Sequence, residues 1–458
     1  MRSFNRTLLR YCAIGLTVAA TALPAYAADL EGKPETIQSA TQQGTQTDSA
    51  GIALYKKKQY AEALPLLTAD AEKHDANAQM ALGNMYSMGL GVTADQKKAF
   101  DWYLKAARSQ HTFAQLYVGY YYEKGLGVPK NAKEAFSWYS RAANAGIPNA
   151  QYKVGYCYEK GVGTAANPSQ ANSWYRKAAE NGSANAQLIM GQRYSEGKRG
   201  KKDMAEAAKW FYHAAEQGYA PAQAALAQLY EMGEGVQRDE ARAASWYTKA
   251  AEQGYSPAQN NLGYLYDQGN GVIQDYATAK KWYEAAASQG NVQAMYNLGQ
   301  LYQMGHGVSQ DYSIATKWFR VAAENGSVKA SNSLGMAYLD GMGVEMDPVK
   351  AARYFLTAAQ KGNVSAQYNL AILYIQQPEA LARNGIKATE AQALQWLKKS
   401  AGNGNTAAME YLSDVYRDGK LGQRKNTQLA DSWRDKALEI ERKRDLFATV
   451  EPLPTINR

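Results

Sequence analysis

Residues 258–293 read AQNNLGYLYDQGNGVIQDYATAKKWYEAAASQGNVQ, and at Ala294 the pattern starts again. Ala294, Leu298, Gly299 and Tyr302 repeat Ala258, Leu262, Gly263 and Tyr266 after 36 residues. The tryptophans carry the same period: Trp102, Trp138, Trp174, Trp210, Trp246, Trp282 and Trp318 are 36 residues apart, and Trp396 and Trp433 continue the series after small insertions. A fixed period of this size is the mark of a solenoid, in which copies of one supersecondary unit stack and bury their faces against each other. The expected fold is therefore all-α, with residues 51–437 forming the repeat array.

Each unit reads as two helices. In the first, Ala-x-x-x-Leu-Gly-x-x-Tyr places apolar and small groups on one helical face. The pattern starts at residues 78, 114, 150, 186, 222, 258, 294, 330 and 366, and again at Ala408. In the second, Ala243, Trp246, Tyr247, Ala250 and Ala251 show Ala-x-x-Trp-Tyr-x-x-Ala-Ala, with small residues that let a neighbour approach the indole. A ring of that kind buries roughly 150–250 Å², so the sequence points to tryptophan as the wedge between hairpins.

The connections have mechanical reasons. Gly89, Gly125, Gly161, Gly233, Gly269, Gly305 and Gly341 follow the first helix, where a left-handed backbone is commonly needed. Asp95, Asn131, Asn167, Asp203, Asp239, Asp275, Asp311 and Asp347 stand where an oxygen caps the second helix. Asn131 with Glu134 and Asp203 with Glu206 have capping-box spacing. Pro168 and Pro348 take the first helical position. Glycines such as Gly146, Gly182 and Gly218 end the second helix.

This combination, recurring in phase ten times, closely resembles the Sel-one-like repeat, a subclass of the tetratricopeptide-like helical solenoids. The opening stretch fits less well, with only Ala63, Leu66 and Ala71 matching the second helix. The resemblance implies a right-handed α-α superhelical solenoid whose first helices line a groove. It also implies a protein-binding scaffold, as the family commonly serves in envelope assembly, signalling or contact with a host.

Departures from the pattern mark individuality. Tyr354 replaces a tryptophan, Gln110 replaces a helix-ending glycine, and the residues 198–202 replace a Gly-x-Gly-Val turn. The ninth copy is six residues longer, between Tyr374 and Thr389 around Pro378. Such an insertion is either a partner contact or a neutral surface loop.

Outside the array, Arg2, Arg6 and Arg10 precede an apolar stretch from Tyr11 to Leu23, and Ala25-Tyr26-Ala27 has the small-x-small pattern of a cleavage site. Residues 1–27 thus read as a secretory signal peptide, too short to span a bilayer, which takes roughly 20 apolar residues. Residues 28–50 read as a flexible leader and 438–458 as a C-terminal capping segment and tail, with Leu438 to Phe447 a short helix over the last unit. Export to the periplasm or beyond is the expected localisation. Loss of three arginines lowers the formal charge from +9 to +6, and the charges alternate in sign along the chain, so no basic stripe for nucleic acid is expected. Without Cys12, Cys157 is the only cysteine and no internal disulfide is possible.

Catalytic chemistry is not visible. His74, His111, His213 and His306 occupy different positions in their units and lack zinc-hydrolase spacing. The repeated Gly-x-Gly follows a helix, not a strand, and reads as a turn; Gly197 to Lys202 is only superficially like a phosphate loop. Cys157 has no histidine in its unit to act as a base. Some secreted members of the family are cysteine-rich and have been connected with penicillin binding or hydrolysis, but their cysteines are missing here. The expectation is a protein without enzymatic activity, with no catalytic or metal site and no cofactor.

What remains is the surface of the first helices. By the resemblance, the residues two before and two after the motif leucine face the groove, and these include Tyr120, Tyr152, Tyr156, Tyr264 and Tyr296. After the motif tyrosine come Glu123, Glu159, Glu231 and Asp267. Rings interleaved with carboxylates suit a protein or peptide partner bearing basic and apolar groups. Tyrosines that bind and tyrosines that pack between repeats look alike in sequence, so both readings stand. The functional expectation is a non-catalytic interaction scaffold or adaptor of the bacterial cell envelope. Its alternatives are a secreted protein that binds host factors and a periplasmic hydrolase of the cysteine-rich type.

Overall fold

The computed structural model describes residues 48–197 and 201–448. The signal peptide, the leader up to residue 47, residues 198–200 and the tail from 449 lie outside the described residues. Among the described residues the secondary structure is helical, without a strand. The chain divides into two compact units, one ending at Gln253 and the other beginning at Gly254. Each is a stack of helix pairs in the style of a solenoid. A regular repeat holds two helices of 13 residues, such as Pro148–Lys160 and Pro168–Glu180 in the first unit or Ser256–Gln268 and Tyr276–Ser288 in the second.

The expected punctuation forms. Gly161 and Gly269 leave the first helix at φ 70° and 72°. All eight Asp and Asn residues expected to cap a second helix accept backbone N–H bonds there. Asn131 and Asp203 accept the N3 amide, but Glu206 pairs with Lys209 at 3.0 Å; a reciprocal capping box closes instead at Thr389 and Gln392.

The residue that wedges the repeats together is not tryptophan. It is the one after it: Tyr103, Tyr139, Tyr175, Phe211, Tyr247, Tyr283, Phe319, Phe355 and Leu397 are at most 3% exposed. Most of the tryptophans are half-buried, Trp138 and Trp246 being deeper. Helical phase is the reason. On Gln96–Arg108 the buried stripe is Ala99, Phe100, Tyr103, Ala106 and Ala107, and Trp102 lies about 100° round the helix from Tyr103. At that edge the indole is covered by a cation from the next turn: Lys105 over Trp102 at 3.8 Å, Arg141 over Trp138 at 4.4 Å, Lys249 over Trp246 at 3.7 Å. The opening stretch follows the same rule, since Leu67 is buried and Leu66 is exposed.

The motif glycine of the first helix receives this ring. A Cβ on Gly155 would fall 2.8 Å from Tyr175, and on Gly335 2.4 Å from Phe355. In the ninth repeat, where the ring becomes Leu397, the glycine becomes Ala371. The fifth repeat holds Ala227 with Tyr247, so one methyl is tolerated where neighbours adjust. The second turn glycine is more constrained, because it lies on the start of the preceding second helix. At Gly163, φ is +71° and a Cβ would stand 2.1 Å from the Ala132 carbonyl oxygen.

A glutamine system, not foreseen from the sequence, links successive helices. Nε2 of Gln151, Gln187, Gln223 and Gln367 donates to the carbonyl of the alanine eight residues earlier, at 3.1–3.2 Å. Oε1 of Gln151, Gln187 and Gln223 accepts from Asn181, Gln217 and Gln253, thirty residues later, at 2.8–2.9 Å. Gln259 accepts likewise from Gln289 at 2.8 Å. In the first two repeats the later donor is replaced by Ser109 and Ala145, and the Oε1 atoms of Gln79 and Gln115 are buried without a partner.

Two irregular regions differ from expectation. The insertion in the ninth repeat contains a helix, Pro378–Arg383, whose Leu381 is fully buried in the core with Leu370 and Ala393; it is anchored, not a neutral loop. The C-terminal capping helix is not separate. A single 22-residue helix, Thr427–Ala448, serves as the last second helix and runs on past Leu438.

Two measurements test this account. Gly163→Ala should lower the unfolding free energy by more than the roughly 1–2 kcal/mol of a left-handed alanine. Gly182→Ala, at φ +95° with nothing within 4 Å, should lose only that backbone term. Ala145→Gln supplies the missing donor to Gln115 and should stabilise by about 1 kcal/mol in denaturant unfolding.

Candidate functional site

The candidate residues lie on first helices, held by the buried ring of the second helix. In the first unit, Tyr139 donates its hydroxyl to Glu123 at 2.6 Å, Tyr175 to Glu159 at 3.2 Å and Tyr247 to Glu231 at 3.1 Å. In the second unit Tyr283 donates to Asp267 at 3.4 Å. A buried phenol needs an acceptor, and these carboxylates provide it. The repeats vary accordingly except in the first, where Ser87 stands sixteen before Tyr103 and the hydroxyl donates to Asn84 at 2.8 Å. Where the ring is Phe211, Phe319 or Phe355, the residue sixteen earlier is Ser195, Gln303 or Leu339, and no carboxylate stands there.

Two of the carboxylates also hold an internal cation. Lys153, only 4% exposed at its side chain, reaches Glu123 at 2.7 Å and lies over the Tyr139 ring at 5.5 Å. Arg193 reaches Glu159 at 2.9 Å and lies over Tyr175 at 4.8 Å. Burial pushes the Glu123 carboxyl up, but the Lys153 ammonium and the Tyr139 hydroxyl bring it below its ordinary value. Burial pushes the Lys153 ammonium down, and Glu123 restores only part of this. Burial raises Glu231 and Asp267, against the hydrogen bonds from Tyr247 and Tyr283. The acidic half of the expected cradle therefore supports the core first.

The tyrosines fall into two kinds. Tyr156 is exposed at 38%, and Tyr120 and Tyr152 beside it are half-buried. Tyr120 carries Lys124 over its ring at 5.9 Å, and Tyr152 leans on Tyr175 at 5.7 Å. In the second unit Tyr296 tilts onto Phe319 at 5.6 Å, and burial raises its phenol. Tyr264 is half-buried in the same core.

Several groups that could carry chemistry are engaged in packing or hydrogen bonding. Cys157 is a buried free thiol pushed up to about 11 by burial, unsuited to act as a nucleophile. Among the described residues no three His, Cys, Asp or Glu gather as metal ligands. His111 caps a helix through Nδ1, and His306 stacks on Tyr276 at 4.4 Å. A Ser-x-x-Lys spacing, such as some lactam-acylating enzymes use, occurs once, at residues 195–198; Ser195 is buried and donates to the Gln192 carbonyl at 2.8 Å. No described helix is long and apolar enough to cross a membrane.

The repeat unit matches the Sel1 repeat family in ten consecutive segments, from 76–111 to 406–433. The chain belongs to the Sel1 repeat family. Among solved structures it is similar to c5321, a protective antigen present in uropathogenic Escherichia coli strains displaying an SLR fold. Identity is 31%, covering 85% of this chain and 91% of that one, with a TM-score of 0.62. It is also similar to a Sel1 repeat protein from Oxalobacter formigenes, at 32% identity over 72% of this chain and 95% of that one, with a TM-score of 0.48. A comparison with curated proteins finds no match. Sel1 repeat proteins are generally protein-interaction scaffolds, and solenoids of this kind are typically non-catalytic.

Carboxylates shifted in opposite directions predict opposite pH behaviour. Glu123 is depressed in the folded state, so its contribution is present above the unfolded value near 4.5 and is lost as pH falls through the folded value. Glu123→Gln leaves the Lys153 ammonium poorly compensated and should cost about 2 kcal/mol at pH 7, less than a fully buried pair because Glu123 keeps some solvent. Glu231 is raised, so stability is lost as pH climbs from the unfolded value through the folded one. Glu231→Gln should therefore be the more stable protein at pH 7 and lose that advantage near pH 4. Unfolding curves of both variants across pH 3–8 check the two slopes.

Proposed function

We propose that this Sel1 repeat protein is a non-catalytic scaffold or adaptor of the bacterial cell envelope. Export by residues 1–27 would bring it there, and it would grip a partner protein on the first-helix face of the first unit. The observation that supports this reading is the ring surface on the helices Thr112–Lys124 and Pro148–Lys160. There Tyr156 is exposed, and the half-buried Tyr120 and Tyr152 flank it. Tyrosine offers large contact area at low side-chain entropy and a hydroxyl for hydrogen bonding, which is why it is enriched in interface cores. Glu123 and Glu159 border these rings. With Lys153 and Arg193 already against them, they fix the rings' surroundings and leave the apolar contact as the main source of affinity.

The test is capture from an envelope extract by the exported protein, whose intact mass should begin at Ala28, followed by mass spectrometry. Tyr120→Ser with Tyr156→Ser should reduce recovery of the captured partner at least tenfold while the unfolding midpoint stays nearly unchanged. A large fall in that midpoint would make the rings core, and unchanged capture would move the binding face elsewhere.

A further inference from the structure

First helices in the second unit carry a polar staircase absent from the first. Asn297 donates through Nδ2 to Asn260 Oδ1 at 3.1 Å, and Asn369 to Asn332 Oδ1 at 3.2 Å. Between these steps Tyr296 and Ser333, both polar and partly buried, occupy the equivalent positions. Each step joins the residue two before a motif leucine to the residue one before the next repeat's leucine, thirty-seven positions on. The steps 260–297, 296–333 and 332–369 thus run through four successive repeats.

Stacking does not require this chemistry. In the first unit the corresponding pairs of positions hold Met80 and Tyr117, Leu116 and Lys153, Tyr152 and Ile189, and Leu188 and Ala225. No carboxamide stands at any of these positions, most being aliphatic or aromatic and Lys153 pairing with Glu123, and partly buried amides cost free energy unless their donors and acceptors are matched. The staircase leaves capacity over. A carboxamide has two donor hydrogens and an oxygen with two lone pairs. Among the described residues, the amide hydrogens of Asn332 and the carbonyl oxygen of Asn369 have no protein partner. Beside this row, Met336, Leu339, Ile372 and Ile375 are partly buried apolar groups.

From this juxtaposition we infer that the first-helix face between Asn297 and Ile375 holds an uncharged, extended peptide segment, matching its backbone amides to the carboxamides and its apolar side chains to the neighbouring row. The row itself carries no ionisable group apart from tyrosine, so a partner read by charge gains nothing there. Adjacent helices pack about 8–10 Å apart, and a polyproline-type chain presents the same face about every 9.3 Å, three residues at 3.1 Å each. One amide step per repeat therefore meets one backbone unit in three. A glycan would want open ring faces to stack on; Tyr296 has its face against Phe319 instead. The inference rests on the scaffold reading but uses none of the residues of its test.

A phage library of random dodecapeptides, selected against the full chain, tests it. Selected peptides should be uncharged and rich in proline and aliphatic residues. Synthetic copies N-methylated at every third residue should bind at least tenfold more weakly, by fluorescence anisotropy. The protein variant Asn332→Leu with Asn369→Leu makes this step apolar, leucine being the residue that the position of Asn332 holds at Leu116 and Leu188. It should keep the unfolding midpoint and lose peptide binding at least tenfold, whereas Tyr120→Ser with Tyr156→Ser should leave it unchanged. Selection of charged peptides only, indifference to N-methylation, or full binding by the leucine variant would overturn the inference. So would unfolding of that variant, which would make the staircase a structural device, or a chito-oligosaccharide that binds the wild type and not the variant.

Discussion

Most hairpins of this chain depend on one contact, a ring of the second helix set onto a glycine of the first. At 2.4–2.8 Å from a would-be Cβ, rings such as Tyr103, Tyr175, Phe211 and Phe355 occupy the volume that a side chain would need. That closeness fixes the spacing of the two helices within a hairpin, and the hairpin in turn presents the same two faces to its neighbours. It also creates a debt in hydrogen bonding wherever the ring is tyrosine. The phenol oxygen is carried into the interior, and Asn84, Glu123, Glu159, Glu231 and Asp267 are placed to accept its hydrogen bond.

The same logic runs through the amides. Gln151, Gln187 and Gln223 each bind one carbonyl before them and one side chain after them, so a single buried residue serves two consecutive repeats. Because these polar contacts recur at fixed offsets, register is specified by direction as well as by shape. The outward positions vary more between the units. They carry tyrosines on the helices Thr112–Lys124 and Pro148–Lys160 and asparagines in the second unit, which gives one architecture two chemically different surfaces.

How far the sequence could be read divides along the same line. Period, helix limits, caps and turn glycines were legible because each depends on a few neighbouring residues, as Asp275 and Gly269 show. Ring size favours Trp282 over Tyr283 as the wedge, and helical phase overrides it. A helical wheel anchored on the alanines would have selected Tyr283, which shares its face with Ala279 and Ala286. The carboxylate roles were also recoverable, since from the second repeat to the eighth a carboxylate stands sixteen before a tyrosine of the second helix and not before a phenylalanine. The insertion was not: nothing local distinguishes Leu381 as an anchor, and its burial depends on a gap built by Leu370 and Ala393. Nor was the staircase, because Asn297 and Asn260 meet only once the repeats have stacked.

The irregularities near the start have a joint consequence. His74 and Gln110 hold the left-handed backbone at φ 67° and 63° without being glycine, and Gln79 and Gln115 each bury an orphan oxygen. In a linear array, where each unit is stabilised by its nearest neighbours, such defects do not average over the whole molecule but weaken the seams at which they sit. The first unit thus has a soft end and a firm end. Thermal fraying begins among the opening hairpins, so amide protons there exchange with solvent soonest while those further along remain shielded.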